Sequence, residues 1–330
     1  MKILITGGAG FIGSRLSKHL LEMGSEVVVI DNLNDYYDPA IKEANIEMLS
    51  SFESFSFYKG DIRNVQDMDK IFAAHKIEMV VHLAAQAGVR PSIQDPKLYY
   101  DVNVTGTLNI LETMRKYSCK KMIFGFSSSV YGNNKITPFS EAHPVDNPIS
   151  PYAATKKSGE LLCYNYHHLY NFDIFCLRFF SVYGPGQRPE MAIAKFTDAI
   201  FNGKDIPMYG DGSSERDYTY VDDIVQGVMR SMKKLRGYDI FNLGESSTIS
   251  LKNLINLVEK NCGQDAHINQ LPMQAGDVSI TYADISKAKE KLGYHPTTDI
   301  ETGVANYVNW YKETILQINS KTNIKIKHVK

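Results

Sequence analysis

Apolar β-type runs alternate with amphipathic helical stretches through the first half of the chain. KILITGG reads as a strand, and FIGSRLSKHLLEMG reads as a helix that ends at Gly24. Further strands follow in EVVVID, FSFYKGDI, EMVVHLAA, KMIFGFSS and DIFCLRFFSV. These runs are apolar at successive positions instead of alternating, the pattern of a parallel sheet covered by helices on both sides. Strand–helix repetition of this kind predicts an α/β fold with a Rossmann-type, doubly wound parallel sheet.

After about Gly184 the rhythm changes. GPGQRPEM is a Gly/Pro-rich loop, and helical patterns then dominate in AIAKFTDAIFNG, VDDIVQGVMRSMKK, SLKNLINLVEKN and ETGVANYVNWYKETI, with a short strand in YDIFNLG. The expected division is a dinucleotide-binding domain over 1–184, joined by a returning segment near 217–245, and a smaller C-terminal substrate-binding domain over 185–330. The basic stretch SKTNIKIKHVK reads as a frayed tail.

Composition narrows the class. Of 330 residues, 43% are apolar and 22% charged, and the net charge is -1. No global field draws the chain to nucleic acid or to anionic lipid, so any bound anion depends on local groups. No apolar run is long enough to span a membrane. The apolar stretch in MKILITGGAG is short and cut by glycines, unlike a secretory leader. Cys119, Cys163, Cys176 and Cys262 are far apart and form no CxxC, which points to free thiols in the cytoplasm. His167 and His168 have no partner at ligand spacing, so no metal is expected; YNYHHLYNF reads as core and interface, and Trp310 as core.

TGGAGFIG joins the first strand to the first helix. Gly7, Gly10 and Gly13 are spaced GxxGxxG, and Gly8, Gly10 and Gly13 fit GxGxxG. Such glycines allow a tight turn, the approach of backbone N–H groups to a pyrophosphate, and close helix–strand packing. The helix N-terminus adds partial positive charge. The second strand ends at Asp31, where a carboxylate can accept hydrogen bonds from an adenosine ribose. Asn32 follows it, not an arginine, which favours NAD over NADP. Asp61, at the end of the third strand, is a candidate for the adenine side.

With a nicotinamide nucleotide in place, SPYAATKKSGE acquires a meaning. Tyr152 and Lys156 lie one helical turn apart on one face. A phenol has a pKa of about 10, and lowering it to about 7 takes roughly 4 kcal/mol, within reach of two close positive charges in a dry cleft. The phenolate can then take a proton from a sugar hydroxyl while hydride leaves the same carbon. Ser127, at the end of the strand in FSSSVYG, is placed to hydrogen-bond the reacting oxygen.

Taken together, these segments resemble the extended short-chain dehydrogenase/reductase family of nucleotide-sugar enzymes. DNLNDYYDP, HLAAQAGVRPSI, NVTGTLNIL, RFFSVYGPGQRPEMA, GDGSSERDYTYVDDIV and AGDVSITYADISKAKEKLGY extend the likeness from residue 1 to about 315. The resemblance implies a Ser127–Tyr152–Lys156 site, a UDP-sugar substrate, a homodimer built on a four-helix bundle, and a place in polysaccharide biosynthesis. It also implies NAD contacts from Gly7, Gly10, Phe11, Ile12, Gly13, Asp31, Asn32, Asp61, Ile62, Leu83, Ala84, Ala85 and Asn103, besides Tyr152 and Lys156.

Within the family, AQAGVR, NLNDYYDP, SSSVYGN, RPEMAIAKF and MQAGDV are most similar to UDP-glucuronate 4-epimerases. That likeness implies proton removal by Tyr152 from the C4 hydroxyl, hydride transfer to NAD, turnover of the ketone, and hydride return to its other face, giving UDP-galacturonate. Family dehydratases carry an acid pair, and decarboxylases a glutamate, where Ser128 and Ser129 stand here; elimination and decarboxylation are therefore disfavoured. On the substrate side the resemblance implies Arg216 on the diphosphate, Asp277 on the uridine ribose, and Ser181 with Arg188 at the sugar carboxylate. Arg90, Ser128, Ser129 and Lys195 are further candidates. The family usually has tyrosine at Pro91, proline at Ala275 and threonine at Ser181, departures that bear on the sugar and not on the chemistry. The rivals are an epimerase of UDP-glucose or UDP-N-acetylglucosamine, a 4-keto-sugar reductase, and a non-catalytic NAD-binding protein.

Overall fold

The computed structural model describes residues 1–273 and 278–316. Asp277, Ala275 and the basic tail lie outside the described residues.

Six strands alternate with helices: β1 (Lys2–Thr6), β2 (Glu26–Asp31), β3 (Phe55–Lys59), β4 (Met79–His82), β5 (Lys121–Ser127) and β6 (Asp173–Phe179). With the strand Tyr238–Leu243 they form one seven-stranded sheet, in the order Tyr238–Leu243, β6, β5, β4, β1, β2, β3. Every pairing in it is parallel. This is the Rossmann-type order, with the chain reversing direction of travel between β1 and β4. Ile5 lies between Val29 and Val81 in register, and all three are fully buried, which is why these strands are apolar on both faces. β3 lies at the sheet edge and is only half-buried.

Helices pack in two groups. The helix Phe11–Glu22 contacts Pro39–Leu49 and Val221–Lys234, while Gly106–Lys116 contacts Val65–Ala74 and Pro151–Tyr170. The helix Phe11–Glu22 gives way to a turn at Gly24, whose φ of +78° is the left-handed conformation a glycine adopts without strain.

DIFCLRFFSV, read from sequence as one strand, is two. β6 stops at Phe179, and Ser181–Tyr183 leaves the main sheet to pair in parallel with Tyr218–Tyr220. The Ser181 amide donates to the Asp217 carbonyl at 3.1 Å, which carries the chain into the second cluster of apolar residues. That cluster includes Ile193, Phe196, Ile200, Leu254, Ile255, Val258, Val304 and Tyr307; Trp310 is half-buried at its edge and not within it. A further parallel pair, Asp205–Tyr209 with His267–Leu271, has no strand signal in its alternation.

Candidate functional site

β1 ends at Thr6, and Gly7 turns the chain with φ +71°. A Cβ at Gly7 would lie 2.7 Å from the Ala84 amide nitrogen, and one at Gly13 would meet the Gly7 carbonyl. Only glycine permits the loop to lie this close to both β4 and its own helix. Gly10 at the helix start supplies no side-chain cap, so the first-turn N–H groups face the loop as an anion cradle.

β2 delivers Asp31 to the same edge. Its carboxylate accepts from the Ala9 and Leu33 amides at 3.1 and 3.0 Å. Burial raises its pKa, against the pull of those two amides and of Lys42. Asp61 follows β3. Arg63 grips it at 2.7 and 3.0 Å, Asn32 donates to it at 3.0 Å, and its pKa falls to about 2, chiefly through the Arg63 hydrogen bond.

The reacting groups come from β5 and the helix after it. Ser127 ends β5 and caps a short turn by accepting from the Ser129 amide at 3.2 Å. The helix Pro151–Tyr170 begins with Ser150 capping Ala153 at 3.1 Å and with proline in its first turn, a strong start signal that fixes Tyr152 at its mouth. Lys156 is fully buried one turn on; it donates to the Gly125 carbonyl at 3.0 Å and lies 5.2 Å from the centre of the Phe124 ring. Burial lowers its pKa to about 8.

Burial raises the Tyr152 phenol above its ordinary value, and the groups pulling it down are the Ser127 hydroxyl and the Arg188 guanidinium. The sequence points instead to two positive charges, the Lys156 ammonium and a bound nicotinamide ring; in the structure the ammonium also donates to the Gly125 carbonyl at 3.0 Å.

A cavity of about 600 Å³ joins these parts. Its lining contains Gly7, Gly10, Phe11, Ile12, Gly13, Asp31, Asn32, Asp61, Ile62, Leu83, Ala84 and Ala85 from one half, and Ser127, Tyr152, Lys156 and Arg188 from the other. The loop glycines, the ribose-side acid and the buried lysine fit a dinucleotide.

Other candidates lie elsewhere. Asn103 does not line the cavity: it is buried, and its amide group bonds both backbone groups of Gln86 and the Thr155 hydroxyl. Ser128 is half-buried outside the lining, and the Ser129 hydroxyl is buried with no hydrogen-bond partner among the described residues. Ser181 belongs to the strand leaving the sheet. Arg216 lies in the short strand Glu215–Arg216 and donates to the Glu215 carbonyl at 2.8 Å. Arg90 is exposed on the helix Val89–Gln94, 4.7 Å from the centre of the Tyr209 ring, and Lys195 is on the exposed side of the helix Ala192–Phe201.

Sequence reasoning missed Tyr36, Tyr37 and Lys42, which line the cavity. Lys42 is buried, donating to the Asn34 carbonyl and side chain at 2.7 and 2.6 Å and lying 4.5 Å from the Tyr37 ring centre. The one available signal was the paired tyrosines in DNLNDYYDP, in the loop that follows the ribose-side acid. His167 Nδ1 donates to the Phe172 carbonyl at 2.7 Å, and His168 stacks on Tyr164.

The family model described as GDP-mannose 4,6 dehydratase matches residues 4–307. A UDP-glucuronate 4-epimerase of Thermodesulfobacterium geofontis (strain OPF15) is 47% identical over 318 residues, 96% of this chain and 98% of that protein. The crystal structure of UDP-glucuronic acid 4-epimerase from Bacillus cereus in complex with UDP-glucuronic acid and NAD is similar with a TM-score of 0.89 at 36% identity, covering 95% of this chain and 99% of that one. The UDP-glucose 4-epimerase of Thermotoga maritima with UDP-glucose also has a TM-score of 0.89 at 36% identity, covering 96% of this chain and 100% of that one.

Proposed function

The chain belongs to the GDP-mannose 4,6-dehydratase family of extended short-chain dehydrogenases/reductases, and from that premise we propose that it is an NAD-dependent UDP-sugar 4-epimerase acting on UDP-glucuronate. The observation that carries this reading is one cavity lined both by the glycine loop with Asp31 and by Ser127, Tyr152, Lys156 and Arg188.

NAD, when bound, supplies the acceptor and donor of one hydride. The chain's own residues do the rest. Gly7, Gly10 and Gly13 with the helix start would hold the pyrophosphate, and Asp31 would take the adenosine ribose. Lys156, in the lining and held at the Gly125 carbonyl, would offer its ammonium to the nicotinamide ribose. The Tyr152 oxygen holds and returns the proton of the C4 hydroxyl, and Ser127 hydrogen-bonds that same oxygen. Arg188 lines the same cavity as the phenol as a cation, suited to a sugar carboxylate. That last feature favours a uronate over a neutral hexose.

The second apolar cluster, with Ser181, Arg216 and Lys195, is read as the nucleotide-sugar side, and Arg90 as a bridge from the sheet to Tyr209; Asp277 is retained as the candidate for the uridine ribose. Exposed Leu108, Leu161, Leu169 and Tyr170 on two mutually packed helices support a homodimer through a four-helix bundle. Four free, buried cysteines accord with a cytoplasmic setting.

The test is incubation of the purified protein separately with UDP-glucuronate, UDP-glucose and UDP-N-acetylglucosamine, with products resolved by NMR. UDP-galacturonate is expected from the first without net NADH formation, and Tyr152→Phe is expected to lose activity by about 10²–10⁴-fold with NAD still bound. Conversion of UDP-glucose alone would overturn the uronate assignment.

A further inference from the structure

Arg188 stands where three segments meet. Its guanidinium carbon is 5.8 Å from the centre of the Tyr36 ring, its Nη1 is 3.2 Å from Glu190 Oε1, and its Nη2 is 3.5 Å from the Met191 sulfur. Glu190 is poorly satisfied. Both of its carboxylate oxygens are buried and take no hydrogen bond among the described residues, so its contact with Arg188 is an ion pair without hydrogen-bond alignment. A carboxylate held this way gains little for its desolvation.

Tyr36, in contrast, is held firmly. Its hydroxyl hydrogen-bonds that of Tyr99, which donates to the Ala87 carbonyl at 2.5 Å. The Tyr99 ring meets the Tyr152 ring edge-on at 6.2 Å. The aromatic wall under the guanidinium is therefore braced by the loop after β4 and abuts the reacting phenol.

We propose that Glu190 is an internal carboxylate that competes with the substrate's carboxylate for Arg188, and that Tyr36 is the platform keeping the guanidinium in the cavity during the exchange. This rests on the reading of the substrate as a UDP-uronate. A uronate brings a carboxylate free to align with the guanidinium in two parallel hydrogen bonds, which Glu190 does not achieve. A neutral sugar leaves the Arg188–Glu190 pair as it is and gains nothing there. Glu190 is thus a specificity-determining residue, and Tyr36 a positioning residue.

The test is calorimetric affinity of the NAD-loaded protein for UDP-glucuronate and UDP-glucose, in a Tyr152→Phe parent so that nothing turns over. Both ligands carry the diphosphate, so their ratio isolates the sugar. Glu190→Gln is expected to tighten UDP-glucuronate about two- to fivefold, the scale of a part-exposed ion pair, and to leave UDP-glucose unchanged. Tyr36→Leu is expected to weaken UDP-glucuronate about two- to fivefold and spare UDP-glucose, while Tyr36→Phe, which keeps the ring but loses the bond to Tyr99, weakens it less than Tyr36→Leu does. A parent that prefers the uronate, combined with a Glu190→Gln ratio that stays the same or falls, overturns the competition and leaves the substrate reading standing. A parent that binds both sugars equally overturns the substrate reading and this inference with it. Equal weakening of both ligands by Tyr36→Leu overturns the platform.

Discussion

Asn103 donates its side-chain amide to the Thr155 hydroxyl at 3.0 Å, and Thr155 donates to the Tyr152 carbonyl at 2.8 Å. The same amide group accepts from the Gln86 N–H at 2.8 Å and donates to the Gln86 carbonyl at 3.0 Å. One buried side chain thus ties the loop after β4, on the dinucleotide side, to the first turn of the helix carrying the phenol.

Asn103→Ala leaves both Gln86 backbone groups without these partners in the interior, so a loss of about 2–4 kcal/mol is expected in urea denaturation. Turnover should fall with stability, because the Tyr152 turn loses its tie. A variant of unchanged stability that merely loses NAD would instead make Asn103 a direct cofactor contact.

His82 extends this network. The Thr107 hydroxyl donates to the Asn103 carbonyl at 2.6 Å, so at 3.0 Å from His82 Nε2 it can only accept. His82 Nδ1 then accepts from Thr6 at 2.7 Å, and the Thr6 oxygen accepts from the Ala84 amide at 3.2 Å. The ring is fixed as the neutral Nε2–H form. Burial, with a further push from Lys156, lowers its pKa to about 3. The unfolded chain takes up this proton near pH 6.5 and the folded chain does not. Stability from this group is therefore complete above about 6.5 and is lost as pH falls toward 3, with a slope of up to about 1.4 kcal/mol per pH unit. His82→Gln should flatten the acid limb of the stability curve. An imidazole titrating near 6.5 in NMR of the folded protein would contradict the locked tautomer.

A second buried network braces the middle of the same helix. Arg178 donates to Glu160 at 2.9 and 3.2 Å and to the Tyr131 hydroxyl at 2.9 Å, and Tyr131 donates to Asn242 at 2.7 Å. Arg178 and Glu160 are 1% and 2% exposed, so removing one charge strands the other. Arg178→Met should cost about 3–5 kcal/mol, softened by the remaining Lys157 contact to Glu160. The double variant Arg178→Met, Glu160→Leu should be less destabilised than the sum of the two singles. Strict additivity in a double-mutant cycle would show that the pair carries no coupling.

The main sheet was legible because its strands are buried on both faces and so read as continuous apolar runs, as in Ile3–Ile5 and Val27–Ile30. The glycine loop was legible because Gly7 and Gly13 meet backbone at distances no side chain tolerates. Two kinds of feature were not. The break at Phe180 falls inside a stretch that reads as one strand, and only pairing with Tyr218–Tyr220 reveals it. The contacts of Tyr36 and Lys42 are tertiary: nothing in their spacing says that a loop after β2 reaches Arg188, which is far along the chain. Asn103, expected to contact the cofactor, also bonds the Gln86 backbone and the Thr155 hydroxyl, tertiary contacts that its place in NVTGTLNIL does not announce.

Arg188 links that unforeseen loop to the chemistry. Its positive charge lowers the Tyr152 phenol, opposing the burial that raises it. Arg188→Gln removes the cation, so the phenol's pKa must rise, and the base form is reached only at higher pH. The acid limb of the kcat profile for UDP-glucuronate should therefore move alkaline in Arg188→Gln and return toward wild type in Arg188→Lys. The shift belongs to kcat because the phenol acts in the bound complex, whereas loss of a carboxylate contact alone would raise KM and leave the limb in place. A raised KM with an unmoved limb would confine Arg188 to binding and return the tuning of Tyr152 to Ser127 and the bound cofactor.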